Sequence, residues 1–313
     1  MDIDVVYTWV DGTDLTWLER RECYISEIPD MQSGEENSDS RYIQSNELMY
    51  SLYFLRKNAP WVRNIYLVTD QQTPDWLTED KLSLLGVEIV DHKDLFLEYC
   101  SALPTFNSMT IETMLCRIPG LSEKFIYFND DMLLVNKVDV SDFFIGSALV
   151  VRGRRRFTIK ILDKAYKNWL KLLGRSNESG GYVGRMPSST ALPGFSYIEL
   201  AHAGHGAYLQ DFKQFIDHAF ISKNIFYRFR DKKQISPFSY VLNWAKQNRK
   251  IYRIDNDWKC FYANDIVDRA GRLHFDLKEF EGVKFACFND LSKLDKHALK
   301  ELQSLLSIYL DRC

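Results

Sequence analysis

The chain has 313 residues, with 40 Lys plus Arg against 43 Asp plus Glu, for a formal charge of −3. Hydrophobic residues make up 46% and charged residues 27%, an ordinary globular composition that excludes collagen-like, disordered and coiled-coil chains. The near-neutral balance also argues against a general nucleic-acid binder, which would be strongly basic, while leaving room for a local basic pocket.

The start, Met1-Asp2-Ile3-Asp4, is acidic and runs straight into β-branched residues, unlike the basic start and apolar stretch of a leader peptide. Ile3 to Val10 reads as a buried strand, closed by the tight loop Asp11-Gly12-Thr13-Asp14. Asp30 to Ser40 is polar and patternless, a loop. Asn46 to Lys57 predicts a helix, with Pro60 just beyond it. Asn64 to Thr69 and Gly86 to Val90 predict strands. Met109 to Arg117 predicts a helix stopped by Pro119-Gly120. Lys124 to Phe128 predicts a strand that runs into Asn129-Asp130-Asp131. Apolar strands alternating with helices predict an α/β fold with a parallel sheet.

Residues 141–200 change character and read as an insertion, an acceptor-side lid. It holds the basic cluster Arg152 to Arg156, then an amphipathic helix, then the loop Asn177 to Gly181. Phe212 to Lys246 is helical by pattern. Leu291, Leu294, Ala298, Leu302, Leu305 and Tyr309 share one face of a C-terminal helix, with Ser292 and Asp295 as a capping box. The most apolar run, Phe143 to Val151, is broken by Gly146 and Ser147. It falls far short of the roughly 18 apolar residues of a membrane span. The six cysteines are scattered with no CxxC pair, which points to reduced thiols in a cytoplasmic protein rather than to disulfides or zinc.

The strongest chemical feature is Asn129-Asp130-Asp131 at a strand end. Ligands of parallel sheets sit beyond the carboxyl ends of the strands, and adjacent carboxylates there suit Mg²⁺ or Mn²⁺ on a diphosphate. Asn-Asp-Asp is also ordinary turn chemistry. Asp11 to Asp14 ends another strand. Gly12 permits close backbone approach, and Asp11 or Asp14 is a metal ligand, a base, or simply a loop and helix cap. His202 and His205 offer general acid–base chemistry or metal binding, against the plainer reading of surface or core histidines. Arg228 and Arg230 flank Phe229 and suit a phosphate clamp or a solvated helix face. Asn289-Asp290 is a candidate ligand pair or a helix N-cap. The Arg152 to Arg156 cluster suits an anionic acceptor, a membrane surface or a solvated loop.

At this point the chain resembles the Stealth family. That family includes bacterial capsular polysaccharide phosphotransferases and the animal N-acetylglucosamine-1-phosphotransferase of lysosomal enzyme tagging. Ile3 to Asp14, centred on Val6-Tyr7-Thr8-Trp9-Val10-Asp11-Gly12, resembles its first motif region. Arg41-Tyr42, Asn46-Glu47-Leu48, Tyr50-Ser51-Leu52 and Ala59 to Asp70 resemble the second. Leu103 to Phe106, Ile111-Glu112 and Arg117 through Asp131 belong to the same region. His202 to His205 with Phe229-Arg230 resembles the third, and Cys287-Phe288-Asn289-Asp290 with the last helix the fourth.

The resemblance implies a Rossmann-like, glycosyltransferase-A-like core within one catalytic domain, 1–313. It also implies transfer of a hexose-1-phosphate, in particular an N-acetylhexosamine phosphate, from a nucleotide-diphosphate sugar such as a UDP-sugar to a glycan hydroxyl. Carried over by position, Asp11, Asp131, His202 and Arg230 are the catalytic set, with the base left open between Asp11 and His202. Trp9, Gly12, Asn129, Arg117, Arg228 and His205 are the substrate-binding set, and Asp130, Asp131, Asn289 and Asp290 hold Mg²⁺ or Mn²⁺. The acceptor class places the enzyme in the cytoplasm, at the inner face of the membrane with capsule-assembly partners and no nucleic acid. Met49, Tyr53, Met114, Cys116 and Gly204 depart from the family's usual Arg, Arg, Asn, His and Pro. Met114 and Cys116 keep a non-catalytic binding module in view, and the same strand-end carboxylates also suit a metal-dependent glycosyltransferase that moves the sugar alone.

Overall fold

Strand β1 (Ile3–Thr8) is buried along its whole length and forms the centre of the main sheet. The computed structural model describes residues 2–25, 42–157, 196–231, 233–248, 250–255, 260–263, 266, 272–289, 291 and 294–312. The expected loop Asp30 to Ser40 lies outside them, as do residues 158–195 with the helix and loop expected inside the insertion.

After β1 come α1 (Leu15–Ile25), α2 (Glu47–Asn58), β2 (Ile65–Thr69), α3 (Glu79–Leu85), β3 (Val87–Asp91), α4 (His92–Phe96), α5 (Ser108–Met114) and β4 (Lys124–Asn129). The helix expected over 109–117 therefore stops at Met114 and tightens into a single 3₁₀ turn, Leu115–Arg117. The sheet runs β3-β2-β1-β4, all parallel, and is closed by the antiparallel β9 (His205–Tyr208). Successive strands step outward from β1 to β3. The chain then returns to the other side of β1 with β4. That reversal opens a crevice beyond the carboxyl ends of β1 and β4, where doubly wound sheets bind ligands.

Both faces of the sheet are covered, which is why its strands read as near-continuous apolar runs. Val5, Tyr7, Ile65, Leu67, Ile126 and Phe128 pack on one face against Leu48, Leu52 and Leu55 of α2. Val6, Tyr66, Val68, Phe125 and Tyr127 pack on the other against α5 and two later helices, α6 (Leu209–Phe215) and α8 (Pro237–Gln247). Phe212 meets Phe125 edge-on at 5.3 Å and Phe238 at 4.8 Å. Truncating a ring buried in this way costs about 3–5 kcal/mol. Between those helices lies α7 (His218–Asn224). The single helical stretch expected over 212–246 is thus three helices, and Pro237 starts the last at its first turn, where a missing N–H costs nothing.

Two small sheets flank the core. β7 (Ala148–Phe157) pairs with β6 (Phe144–Ile145), β8 (Ser196–Leu200) and β10 (Ile251–Asp255). The Arg152 to Arg156 cluster is therefore strand, not loop. Arg152 is 3% exposed, and its guanidinium lies over Phe143 at 4.7 Å and Phe285 at 4.0 Å. Planar, weakly hydrated guanidinium stacks well on rings, so a basic letter here marks core and not surface. The other small sheet is β11 (Cys260–Tyr262), β12 (Phe285–Cys287) and β5 (Met132–Leu134). α9 (Lys296–Arg312) packs through Ala298, Leu302 and Leu306 on Phe54 and Leu133. Asp295 caps it, accepting from Ala298 N at 2.8 Å, and Ser292 lies outside the described residues.

Cys23, Cys100, Cys116, Cys260 and Cys287 are in no disulfide. Among the described residues no helix is long and apolar enough to cross a membrane.

Candidate active site

Thr8 and Asn129 face each other on the last rung between β1 and β4. Beyond them opens a cleft of about 580 Å³. Thr8 lines it from the last position of β1 with Trp9 and Val10 just beyond, and Asn129 from the last position of β4 with Asp130 and Asp131 just beyond. Arg230, Asn289, Gln44 and Glu47 line it from elsewhere in the chain. The two strand ends expected to converge do converge, but through Trp9 rather than Asp11.

α2 brings Glu47 to the cleft on its first turn. That helix is tied below the site by Ser51 Oγ, which donates to Met132 O at 2.5 Å, and by Asn58 Nδ2, which donates to Leu134 O at 2.5 Å. Glu47 Oε2 accepts from Ser45 N at 2.5 Å. Three carboxylates thus share one end of the cleft, Glu47, Asp130 and Asp131. Burial, then the like charges of Asp131 and Glu47, push Asp130 up to about 8, and burial pushes Glu47 up to about 7.

Among the described residues no three of His, Cys, Asp or Glu form a ready-made metal nest. The donor set is instead two adjacent carboxylates, Asp130 and Asp131, with the exposed amide of Asn289 on the same cleft. That partial oxygen shell fits Mg²⁺ or Mn²⁺, which keep waters and take their remaining ligands from substrate phosphates. The excess of buried negative charge around Asp130 is what such a cation neutralises. Asp290 lies outside the described residues.

The opposite wall carries Arg230, whose Nη2 donates to Ser108 Oγ at 2.8 Å. Phe229 is buried against Phe106, with ring centroids 5.3 Å apart, so its two neighbours point apart. Arg230 goes to the cleft. Arg228 goes to the backbone, donating to Pro104 O at 2.6 Å and Ser101 O at 3.3 Å and stacking on Tyr24 at 4.4 Å. Asn107 holds this segment, since its buried Nδ2 donates to Phe229 O at 2.8 Å and Tyr227 O at 2.9 Å.

Glu112 stands on α5 one turn after Ser108, bonded to Ser108 and Tyr127 and facing the charge of Arg230. Burial outweighs these contacts and pushes its carboxyl up to about 7. Tyr127 OH lies 2.9 Å from Thr8 Oγ1 and donates to Asn129 Oδ1 at 2.8 Å, linking Glu112 to the end of β4. Glu112, Glu47 and Gln44 were not among the residues expected at the site. The two glutamates stand inside the quoted motif segments. The i, i+4 pair Ser108 and Glu112 was the available sign that one helix face carries polar groups inward.

Several expected residues lie elsewhere. Asp11 does not line the cleft. Its Oδ1 closes its own loop, accepting from Thr13 N at 2.8 Å and Thr13 Oγ1 at 2.7 Å. Asp14 is the cap of α1, accepting from Trp17 N at 2.7 Å. Gly12 permits close approach of Tyr42, whose Cβ would lie 2.2 Å from an added Cβ, and not of a ligand. Arg117 is paired with Glu98 at 2.5 Å. His202 is exposed outside the cleft lining, and its backbone N–H donates to Tyr262 OH at 3.1 Å. His205 is buried, with Nε2 2.8 Å from Ala201 O, and burial pushes it down to about 4. Asn289 is part of the turn after β12, not the cap of α9.

The departures also find physical reasons. Met114 and Cys116 are buried in the second core face and do not line the cleft, so their apolar character is a packing property. Gly204 lies against Phe128, whose ring would come within 2.3 Å of an added Cβ.

The profile described as Stealth protein CR1, conserved region 1, matches residues 1–27, and that described as Stealth protein CR2, conserved region 2, matches residues 41–151. The chain is 42% identical over 290 residues to the capsular polysaccharide phosphotransferase LcbA of Neisseria meningitidis, covering 88% of this chain and 72% of that one. It is 50% identical over 148 residues to the exopolysaccharide phosphotransferase SCO2594 of Streptomyces coelicolor, covering 47% of this chain and 23% of that one. It therefore spans only a quarter or so of the length of that longer relative. The crystal structure of mouse xyloside xylosyltransferase 1 in its apo form aligns with 92% of this chain and 98% of that one, at a TM-score of 0.41 and 8% identity, too distant a likeness to bear on the fold.

Proposed function

The chain belongs to the Stealth family, and from that premise we propose that it is a sugar-1-phosphate transferase of capsular or cell-surface polysaccharide synthesis. The donor is a nucleotide-diphosphate sugar, of the UDP-N-acetylhexosamine class, and the acceptor a glycan hydroxyl. The observation that carries this reading is the division of one cleft: Asp130, Asp131 and Asn289 on one side, Arg230 and Ser108 on the other, with Glu112 buried behind them. A diphosphate needs opposite charge at both ends of the transferred phosphoryl group, and the chemistry is mostly positioning and charge stabilisation.

In this reading the acceptor oxygen attacks the β-phosphorus, and the bond from that phosphorus to the bridging oxygen breaks. The nucleoside monophosphate leaves with the bond's electrons. Glu112 stands behind the lining and bonds Ser108, which is part of it, and with a carboxyl that titrates near neutrality it takes the hydroxyl proton through Ser108, whereas Asp11 is spent on its own loop and His202 lies outside. Arg230 stabilises charge on the transferring phosphoryl oxygens. Asp130, Asp131 and Asn289 would hold Mg²⁺ or Mn²⁺, which when bound would supply charge neutralisation at the diphosphate. Trp9 offers a ring to the donor. Work at the inner membrane face belongs to the same reading, with exposed Arg154 and Arg155 of β7 as the basic surface for it.

The test is turnover of a panel of nucleotide sugars with an oligosaccharide acceptor. Asp131→Asn and Arg230→Ala are each expected to lose 100-fold or more, on the order of a removed charge-stabilising group. Near-normal turnover in both variants would remove the cleft as the reaction site.

A further inference from the structure

We propose that Gln44 is a positioning residue that fixes Asp130 for cation binding and ties that carboxylate to the indole of Trp9. The proposal rests on the reading of Asp130 and Asp131 as a cation site. Gln44 sits in irregular chain between the loop after β1 and helix α2. Gly12 N donates to Tyr42 O at 2.9 Å, and Gln303 Nε2 of α9 donates to Ser45 O at 3.0 Å, so the segment is held from both sides.

The amide itself makes three hydrogen bonds. Oε1 accepts from Trp9 Nε1 at 2.8 Å, while Nε2 donates to Val10 O at 2.9 Å and to Asp130 Oδ2 at 3.2 Å. These partners dictate which way the amide faces. An indole N–H only donates, so the oxygen must face Trp9. A backbone carbonyl only accepts, so the nitrogen must face Val10, and the same nitrogen then reaches Asp130. Asparagine is too short to span the three partners, and a glutamate would set oxygen against oxygen at two of them. Gln44 thus pins one carboxylate oxygen. It does so from an amide that is itself oriented by Trp9, whose ring lines the same cleft. Groups that orient metal ligands in this way are typically worth 10–100-fold in metal affinity.

The test is direct Mn²⁺ binding by the full chain, read from the paramagnetic resonance signal of the free ion, with thermal melts alongside. Gln44→Met keeps the length and volume and removes the amide. It is expected to weaken Mn²⁺ binding about 10-fold at nearly unchanged Tm. Trp9→Phe keeps a ring and removes the N–H. It should weaken binding less, and adding it to Gln44→Met should cost nothing further, because both changes break the same chain of contacts. Trp9→Phe also keeps the proposal testable should Gln44→Met lower Tm. Wild-type affinity in Gln44→Met would overturn the proposal and reduce Gln44 to a packing residue. Failure of the wild type itself to bind Mn²⁺ would overturn the cation reading of the cleft, and this proposal with it.

Discussion

Cys287 donates its thiol hydrogen to Oδ2 of Asp131 at 3.5 Å, joining residues 156 positions apart. The backbone of Phe288 donates to Asp131 O at 2.9 Å, so β12 braces the carboxylate turn twice. Burial and the neighbouring Asp131 charge push the thiol's pKa far up, which keeps it an S–H donor. Cys287→Ser retains a donor, and Cys287→Ala removes it. Turnover should fall roughly 3–10-fold in the alanine variant, as for one ordinary hydrogen bond lost from a weak thiol donor, and much less in the serine variant. Equal losses in the two, measured by steady-state kinetics, would mean that only the sulfur's volume matters.

Glu112 keeps its proton up to about pH 7. A carboxylate accepts a proton only when ionised, so kcat/KM should rise through pH 7 along its acid limb. Glu112→Gln is expected to lose 100-fold or more and to flatten that limb. The stability effect has the opposite sign. The native carboxyl binds its proton more tightly than the ordinary 4.5, so wild-type stability falls as pH rises from there to about 7. Glu112→Gln should therefore melt higher than wild type at pH 8 and at about the same temperature at pH 4. A variant with a wild-type pH profile would contradict the assignment.

His205 is a buried neutral imidazole. A carbonyl partner only accepts, so Nε2 carries the proton. Its native value of about 4 lies below the ordinary 6.5, so the unfolded chain binds more protons between those values. Stability should fall as pH drops from about 6.5 to about 4, and His205→Gln should lose part of that dependence. Denaturant melts across this range check it, and a slope identical to wild type in the variant would count against it.

Asp4 sits at the opposite end of β1 from the cleft and is fully buried. It accepts from Arg63 Nε at 2.8 Å, Arg63 Nη2 at 2.6 Å, Ser122 N at 2.7 Å and Asn64 N at 3.2 Å, joining three strands at their entry. Asp4→Ala leaves the Ser122 and Asn64 N–H groups unmatched while Arg63 turns to water, and should cost about 1–3 kcal/mol. Since the cleft is at the far end of the sheet, kcat of the folded fraction should stay near wild type. Melts and kinetics on the same preparation separate the two effects.

The main sheet was legible in the sequence because its strands are buried on both faces and read as unbroken apolar runs. Asn129-Asp130-Asp131 was legible because it follows such a run. The three- and four-residue strands β5, β9 and β12 were not, since they are too short to show a period. Arg152 looks like surface by its letter and is core by its stacking on two rings. The arginines at 228 and 230 are alike in sequence and differ only because Phe229 between them is buried. Gln44 lies between the quoted motif segments, and Glu112 stands inside one that says nothing of its partners. Their importance comes from partners more than 80 positions away or on another wall of the cleft, and a linear reading does not join those.

The most direct measurement is the nucleotide released when a turned-over nucleotide sugar meets its glycan acceptor, read together with the phosphorus resonance of the purified glycan product. Phosphotransfer yields the nucleoside monophosphate and a phosphodiester signal in the glycan. Release of the nucleoside diphosphate, with no phosphorus in the glycan, would contradict it and establish transfer of the sugar alone.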